Sequence, residues 1–413
     1  MIGEGVPVRA SNPLGYNEHY SFSARMLRRL LVFFLLFPVV PWLPAGLFAS
    51  ITMAQTSVPV APVPPIAARS WLLLDYRTGH VIASHSADER VEPASLTKLM
   101  TAYLVFGALK QDLLAPSQAL PVSMKARKMQ GSRTFIGPDK TVTVDELLHG
   151  MIVQSGNDAT IALAEGVAGS EESFVQSMND QAARLGLTHT HFANATGLAD
   201  PHHYSTAGDL SLLALALIRD FPEYFPMYAI KEYTYNGVTQ RNRNELLFRD
   251  PFVDGVKTGY TETAGYCLIA TAQRDGRRLL AVVTGTASET ARAMEAQKLL
   301  NYGFQYTETL KLYAGGATVA ELPVWKGSEK SLRAGFTEDV FVLLPKGQRT
   351  LLKAEIESLQ PLIAPISPQQ PVGVVRLTFD DKPYGEYPVV ALERVGVANI
   401  FMRAWDSLRL MFQ

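Results

Sequence analysis

The sequence predicts an α+β domain, a small all-β domain behind it, and an amphipathic helix at the C-terminus. Three observations carry this. Strand-like apolar runs near residues 71–83 and again over 253–284 flank a long stretch, 95–228, whose apolar residues recur at helical spacing. From about Leu310 to Val390 the chain changes to short strand-like runs separated by Pro-Lys-Gly, Pro and Asp-Lys-Pro turns. The last stretch, Val397 to Gln413, returns to spacings of three and four.

Size and composition set the frame. At 413 residues the chain is too long for one ordinary core, which implies two or more domains. A hydrophobic share of 47% with 19% charged residues is that of a globular protein. The net charge of −1 leaves no electrostatic footprint for nucleic acid, so no such partner is expected. The single cysteine, Cys267, rules out an intramolecular disulfide. With one Cys and no zinc-type Cys/His spacing, neither a metal nor a cofactor is expected. Cys267 lies in the apolar run Tyr266-Cys267-Leu268-Ile269-Ala270 and reads as a small buried hydrophobe.

Residues 1–25 are polar and aperiodic. Met26-Leu27-Arg28-Arg29 then precedes an apolar run from Leu30 to about Ile51, with small residues near Ala54. This is the pattern of a secretory signal, with cleavage expected after Ala54. An uncleaved anchor is the alternative, which Pro38, Pro41 and Pro44 weaken. Met26 is a possible true start. Residues 55–65, rich in Pro, read as an extended linker.

The first domain, 66–308, opens with the strand Trp71–Asp75, the turn Tyr76-Arg77-Thr78-Gly79, and the strand Val81–Ala83; His80 is a hairpin residue. Pro93 suits the first turn of the helix that follows. Amphipathic spacing predicts helices over Val144–Val153, Asp158–Val167 and Ser173–Leu185. The segment from Asn194 to His203 reads as a polar loop, in which His202 and His203 lack a third metal ligand. Ser205 is the expected cap of a helix from Ala207 to Ile218. Strands follow at Lys231–Tyr235, Val253–Tyr260, Tyr266–Ala272 and Leu279–Thr284, the last two joined by the turn Asp275-Gly276. Glu289–Tyr302 is a closing helix. Residues 309–392, with strands at Val340–Leu344, Leu351–Ile356, Val372–Phe379 and Tyr387–Ala391, read as a small β-sandwich without candidate chemistry.

The chemistry sits in three short stretches. Ser95-Leu96-Thr97-Lys98 puts a hydroxyl and an amine on one helix face. A serine hydroxyl is a weak nucleophile until a neighbouring base takes its proton, and a lysine can be that base only when its amine is neutral. Ser155-Gly156-Asn157 follows the helix ending at Val153, and Lys257-Thr258-Gly259 lies in the strand Val253–Tyr260. The three in this order are the signature set of active-site-serine penicillin-binding enzymes. The longer runs Ser155-Gly156-Asn157-Asp158-Ala159, Asn242-Arg243-Asn244 and Val253-Asp254-Gly255-Val256-Lys257-Thr258-Gly259 resemble the D-alanyl-D-alanine carboxypeptidases among the low-molecular-mass penicillin-binding proteins. The resemblance spans roughly residues 66–413.

The resemblance implies a β-lactamase/penicillin-binding-type fold, in which the two N-terminal strands join the later three in one antiparallel sheet beside the helical block. The β-sandwich would be a stalk. The substrate would be a peptidoglycan stem peptide ending in D-Ala-D-Ala, and β-lactam antibiotics would acylate the same serine. Ser95 is the expected nucleophile, Lys98 its general base, and Ser155 a proton relay to the leaving nitrogen. Lys257 opposite would push the Lys98 amine toward neutrality. Asn157 suits the substrate's backbone amide and the fixing of Lys98. Lys257, Thr258 and Gly259, with Arg243 beside them, would receive the terminal carboxylate. The backbone N–H groups of Ser95 and Tyr260 would form the oxyanion hole. Some relatives have His after Lys-Thr-Gly; here it is Tyr260, which keeps the backbone donor and changes the side chain.

In the C-terminal stretch, 393–413, Ile400, Phe401, Ala404, Trp405, Leu408, Met411 and Phe412 recur at spacings of three and four, and Arg403, Asp406, Ser407 and Arg409 fall mainly elsewhere on the wheel. The pattern suits a helix lying in a membrane interface, and packing on its own domain is the alternative. The expected location is the periplasmic face of the bacterial inner membrane. Three other functions share some of these features: a class A-like β-lactamase, which would not need the C-terminal sandwich and anchor; a transpeptidase, in which an amine replaces water; and a non-catalytic wall scaffold.

Overall fold

The computed structural model describes residues 61–137 and 141–411. The expected leader, 1–54, lies outside them.

Five strands form one antiparallel sheet in the order Val81–His85, Ser70–Asp75, Arg277–Thr286, Gly265–Arg274, Val253–Thr261. The two N-terminal strands thus join the three late ones. Alternate residues of each strand point to opposite faces. Leu72, Leu74, Val256, Cys267, Ile269, Leu280 and Val282 face the helical block. Trp71, Leu73, Leu268, Ala270, Leu279, Ala281 and Val283 pack with Ala293, Ala296, Leu299 and Leu300 of the closing helix Glu289–Tyr306. Both faces are covered, which is why these strands read as unbroken apolar runs. Cys267 is fully buried in this core, where burial lifts its thiol to about 11.

The helical block follows the predicted pattern with small shifts. The helix Val144–Val153 starts at a capping box, Thr143 with Glu146. Helices Asn157–Ala168, Glu171–Arg184 and Ala207–Asp220 follow. The cap of the last is Thr206, which accepts from Asp209 N–H, and not Ser205. Ser205 is committed elsewhere: its backbone bridges Val91 and its hydroxyl meets Thr190. The strand Glu232–Tyr235 pairs with a second, Val238–Arg241, that the sequence reading did not include.

The C-terminal domain holds a two-stranded sheet (Thr307–Tyr313 with Val340–Pro345) and a six-stranded sheet around one core containing Val342, Leu344, Val375, Leu377 and Val389. Strands Thr307–Tyr313, Thr318–Trp325 and Ser331–Gly335 were not foreseen; the first is half-buried along most of its length and alternates little, whereas the last does alternate, with Leu332 and Ala334 buried, but is only 5 residues long. The two domains meet at Asp75, fully buried, whose carboxylate accepts from Arg277 Nε at 2.8 Å and Thr309 Oγ1 at 2.6 Å. A helix Ile400–Leu410 ends the described chain.

Candidate active site

Residues Ala94–Thr97 form a single tight turn that runs directly into the helix Lys98–Lys110. The spacing places Lys98 Nζ 3.0 Å from Ser95 Oγ, to which it donates. The same amine donates to Thr196 O at 2.7 Å. Lys98 is 1% exposed. Burial first, and the Arg243 guanidinium second, bring its pKa from 10.5 down to about 7, with Asp158 opposing them. Besides the expected like charge of Lys257, which interacts with Lys98, the Arg243 guanidinium acts on this amine.

Ser155 lies just beyond the helix Val144–Val153 in the left-handed region, φ 64°. That conformation is rare for a residue with a Cβ and persists only where the surroundings impose it. Here Lys257 Nζ donates to Ser155 Oγ at 2.9 Å and to Thr258 O at 3.0 Å. Burial, then Lys98, Arg243 and Arg292, hold the Lys257 amine well below the ordinary lysine range. The repulsion between the two buried amines is mutual and favours loss of a proton from the pair, while Asp158 works against it at Lys98.

Asn157 does not reach Lys98. Its Nδ2 donates to Gln130 O at 2.6 Å, and its buried Oδ1 has no partner, leaving an acceptor for an incoming amide N–H. Thr258 is buried in the wall of the site. Gly259 serves packing as well: a Cβ there would meet Pro93 O at 3.0 Å and Ala94 Cβ at 3.2 Å, so glycine lets the edge strand approach the serine turn. Arg243 Nε lies 3.4 Å from Gln154 O. The Tyr260 ring is half exposed and lies 4.3 Å from that of Tyr266.

Ser95, Ser155, Asn157, Thr258, Arg243 and Tyr260 share the wall of one cavity of about 300 Å³. Lys98 and Lys257 lie behind Ser95 and Ser155, and are reached through their hydroxyls. The cavity can accept an anionic end group, present a hydroxyl with a half-neutral amine behind it, and pass protons through a second hydroxyl.

Three contributors escaped the sequence reading. Arg292, on the closing helix, is 3% exposed, lines the cavity, and donates toward Gly259 O and Arg243 O at 3.4 and 3.3 Å. Asp158 is fully buried and accepts from the N–H groups of Thr134, Phe135 and Ile136 at 2.8, 2.9 and 3.3 Å. It thereby holds the 131–136 loop, whose Gly131 and Ser132 line the cavity. The 193–203 loop supplies Thr196 O, and its Gly197 (φ 84°) packs so tightly on the Ala94 carbonyl that a Cβ would overlap it. The run Asp158-Ala159 was visible in the sequence, but nothing in it showed a carboxylate turned inward.

A Glu-x-x-x-Asn spacing, which a class A-like β-lactamase uses to direct water, occurs at Glu232–Asn236. It lies in the Glu232–Tyr235/Val238–Arg241 hairpin, with Glu232 exposed and 3.5 Å from Arg241.

Residues 55–288 match the peptidase S11 family, D-alanyl-D-alanine carboxypeptidase, and residues 308–397 match the penicillin-binding protein 5 C-terminal domain. The chain is 40% identical to the D-alanyl-D-alanine carboxypeptidase DacC of Escherichia coli over 89% of this chain and 94% of that protein. Among solved structures, penicillin-binding protein 5 from Haemophilus influenzae superposes with a TM-score of 0.79 at 37% identity, covering 82% of this chain and all of that one (100%). Penicillin-binding protein D2 from Listeria monocytogenes, in its ampicillin-bound form, aligns at 31% identity and TM-score 0.55, over 59% of this chain and 100% of that one.

Proposed function

The chain belongs to the D-alanyl-D-alanine carboxypeptidase family, and on that premise we propose that Ser95 cleaves the terminal D-Ala from peptidoglycan stem pentapeptides. It is a serine-type D-Ala-D-Ala carboxypeptidase, a hydrolase and penicillin-binding protein acting on the cell wall.

The observation that carries the residue roles is the pair of hydroxyl–amine contacts, Lys98 to Ser95 at 3.0 Å and Lys257 to Ser155 at 2.9 Å. A neutral Lys98 takes the Ser95 proton as Oγ bonds to the carbonyl carbon of the penultimate D-Ala. The oxyanion is received by the backbone N–H groups of Ser95 and Tyr260. As the C–N bond breaks, Ser155 gives its proton to the leaving nitrogen and receives in turn the proton that Lys98 took from Ser95, so D-Ala departs as a neutral amine and Lys98 is neutral again. Water then attacks the acyl-enzyme, and its proton returns through Lys98 to Ser95 Oγ. Thr258, Arg243 and Arg292 hold the substrate's terminal carboxylate, and Asn157 Oδ1 accepts from its backbone amide. β-Lactams acylate Ser95 by the same first step.

The test is release of free D-alanine from a D-Ala-D-Ala-terminated peptide, beside Ser95→Ala. Steady release that vanishes in the variant is expected. Penicillin labelling at Ser95 without D-alanine release would favour transpeptidation or a scaffold role, and release surviving in Ser95→Ala would remove Ser95 from the chemistry.

The helix Ile400–Leu410 is proposed to lie in the membrane interface at the periplasmic face. Supporting this, Ile400, Phe401, Trp405, Leu408 and Met411 are exposed. The polar edge is turned back: Asp406 accepts from Lys326 N–H at 2.7 Å, and the Arg409 guanidinium lies 5.5 Å from the Trp325 ring. Among the described residues no helix is long and apolar enough to cross a membrane. A chain ending at Leu392 should lose co-sedimentation with anionic phospholipid vesicles while keeping D-alanine release; equal sedimentation of both chains would sink the idea.

A further inference from the structure

One buried histidine next to the site has no part in the chemistry above. His203 is 3% exposed, at the end of the loop that began as an expected polar turn. Its Nδ1 accepts from Ala193 N–H at 3.2 Å, which leaves the ring proton on Nε2. Nε2 lies 2.7 Å from Thr97 Oγ1, so it donates to that hydroxyl. The Phe192 ring meets it edge-on at 5.8 Å. Burial pushes the imidazole down to about 4, which keeps it neutral when the enzyme works near pH 7.

Thr97 stands between Ser95 and Lys98 in the same turn. The 193–203 loop grips that turn and the helix after it at several points. Thr196 O accepts from Lys98 Nζ at 2.7 Å, and Ala195 O accepts from Thr101 Oγ1 at 2.7 Å. Asn194 Oδ1 stiffens the middle of the loop by accepting from the N–H groups of Thr196, Gly197 and Leu198 at 3.2, 2.7 and 3.1 Å. His203 supplies the loop's side-chain hydrogen bond to the Ser95–Lys98 turn, and it does so out of water.

We propose that His203 is a positioning residue that, through Thr97, locks the Ser95–Lys98 turn against the 193–203 loop and keeps water from the Lys98 amine. This rests on the roles of Ser95 and Lys98 given above. The charged groups that act on His203 are Asp200, His191, Glu92 and Lys98; those acting on Lys98 are Arg243, Asp158 and the Lys257 amine. None of these is altered by removing the ring. What changes is hydration: without the Nε2–H donor, the Thr97 hydroxyl and the loop carbonyls turn to water. Burial is the largest influence on Lys98, so admitting water raises the amine's proton affinity. The acid limb of the pH–rate profile then moves to higher pH.

The experiment is the rate of labelling by a fluorescent penicillin between pH 5 and 10, on the intact protein and three variants. His203→Ala and Thr97→Val should each shift the acid limb up by about one unit and slow labelling at pH 7 by about fivefold. The double variant should shift no further than either alone, because both remove one bond. His203→Gln, whose amide can donate to Thr97, should restore the profile to within about twofold of the parent. An unshifted limb in His203→Ala and Thr97→Val, even with a lower melting temperature, would show a merely structural histidine and overturn the proposal. Failure of His203→Gln to rescue would overturn it too, since ring volume rather than the donor would then matter. If His203→Ala does not fold, the near-isosteric Thr97→Val decides by its limb alone. Labelling that survives Ser95→Ala removes the premise instead, and is told apart because the parent chain itself then fails the reading.

Discussion

Lys98→Met should label with penicillin at least about a thousandfold more slowly than the parent, the loss expected when a positioned general base is removed. Ser95 keeps its place in the turn, but nothing within reach takes its proton. The parent's own labelling should follow the neutral fraction of an amine near pH 7: tenfold slower for each unit below it, flat above. Stability moves the opposite way. The folded-state pKa of Lys98 is lowered from 10.5 to about 7, so between those values the unfolded chain binds more protons. Folding is therefore opposed by this amine most strongly at and below pH 7, by an amount on the order of a few kcal/mol, and the opposition fades as pH rises from about 7 and is gone above 10.5. Met at 98 lifts it. The stability difference, variant minus parent, should be more favourable at pH 7 than at pH 10 in denaturant titrations. Labelling within tenfold of the parent would exclude Lys98 as the base.

Asp158→Ala should cost about 3–5 kcal/mol of stability and should loosen the wall of the site opposite Ser95. The size follows from three N–H groups, of Thr134, Phe135 and Ile136, left without their acceptor at roughly 1–3 kcal/mol each before relaxation. The carboxylate also stands in the first turn of the helix Asn157–Ala168, where a negative charge is favoured. Hydrogen exchange localises the effect: the amides of residues 134–136 should lose protection far more than the sheet. Since Asn157 N–H donates to Ser132 O and Asn157 Nδ2 to Gln130 O, the loosened loop frees the asparagine, and acylation slows with it. Unchanged protection at 134–136 would contradict this account.

How far the chain could be read before folding differs from residue to residue. Ser95 with Lys98 was legible because three residues along a helix fix a distance whatever surrounds them. The strands of the sheet were legible from their apolar runs, their joining into one sheet only from the family resemblance. The helix Val144–Val153 was legible from its amphipathic spacing, while its capping box of Thr143 and Glu146 came with the structure. The strand Thr307–Tyr313 was not legible, because half-buried residues give little alternation, and Ser331–Gly335 was not, because an alternating run of 5 residues is short. Ser205 was the expected cap of the helix Ala207–Asp220, and the structure gives that place to Thr206 because Ser205 bridges Val91.

By itself the sequence determined which groups exist and which local geometries they can adopt: a hydroxyl beside an amine, a serine beyond a helix end, a lysine on an edge strand. Tertiary structure decided their chemistry. Whether the Lys98 amine is neutral depends on burial by Thr196 and on a guanidinium at residue 243, distant in sequence. Whether His203 is a polar loop residue or a buried donor depends on Thr97 and Phe192 closing around it. Arg292 carries no signal in the sequence and joins the site only when the closing helix lays it against Gly259 and Arg243. Spacing is a property of the local chain, but solvation and the field of distant charges arise only when remote segments exclude water from one place.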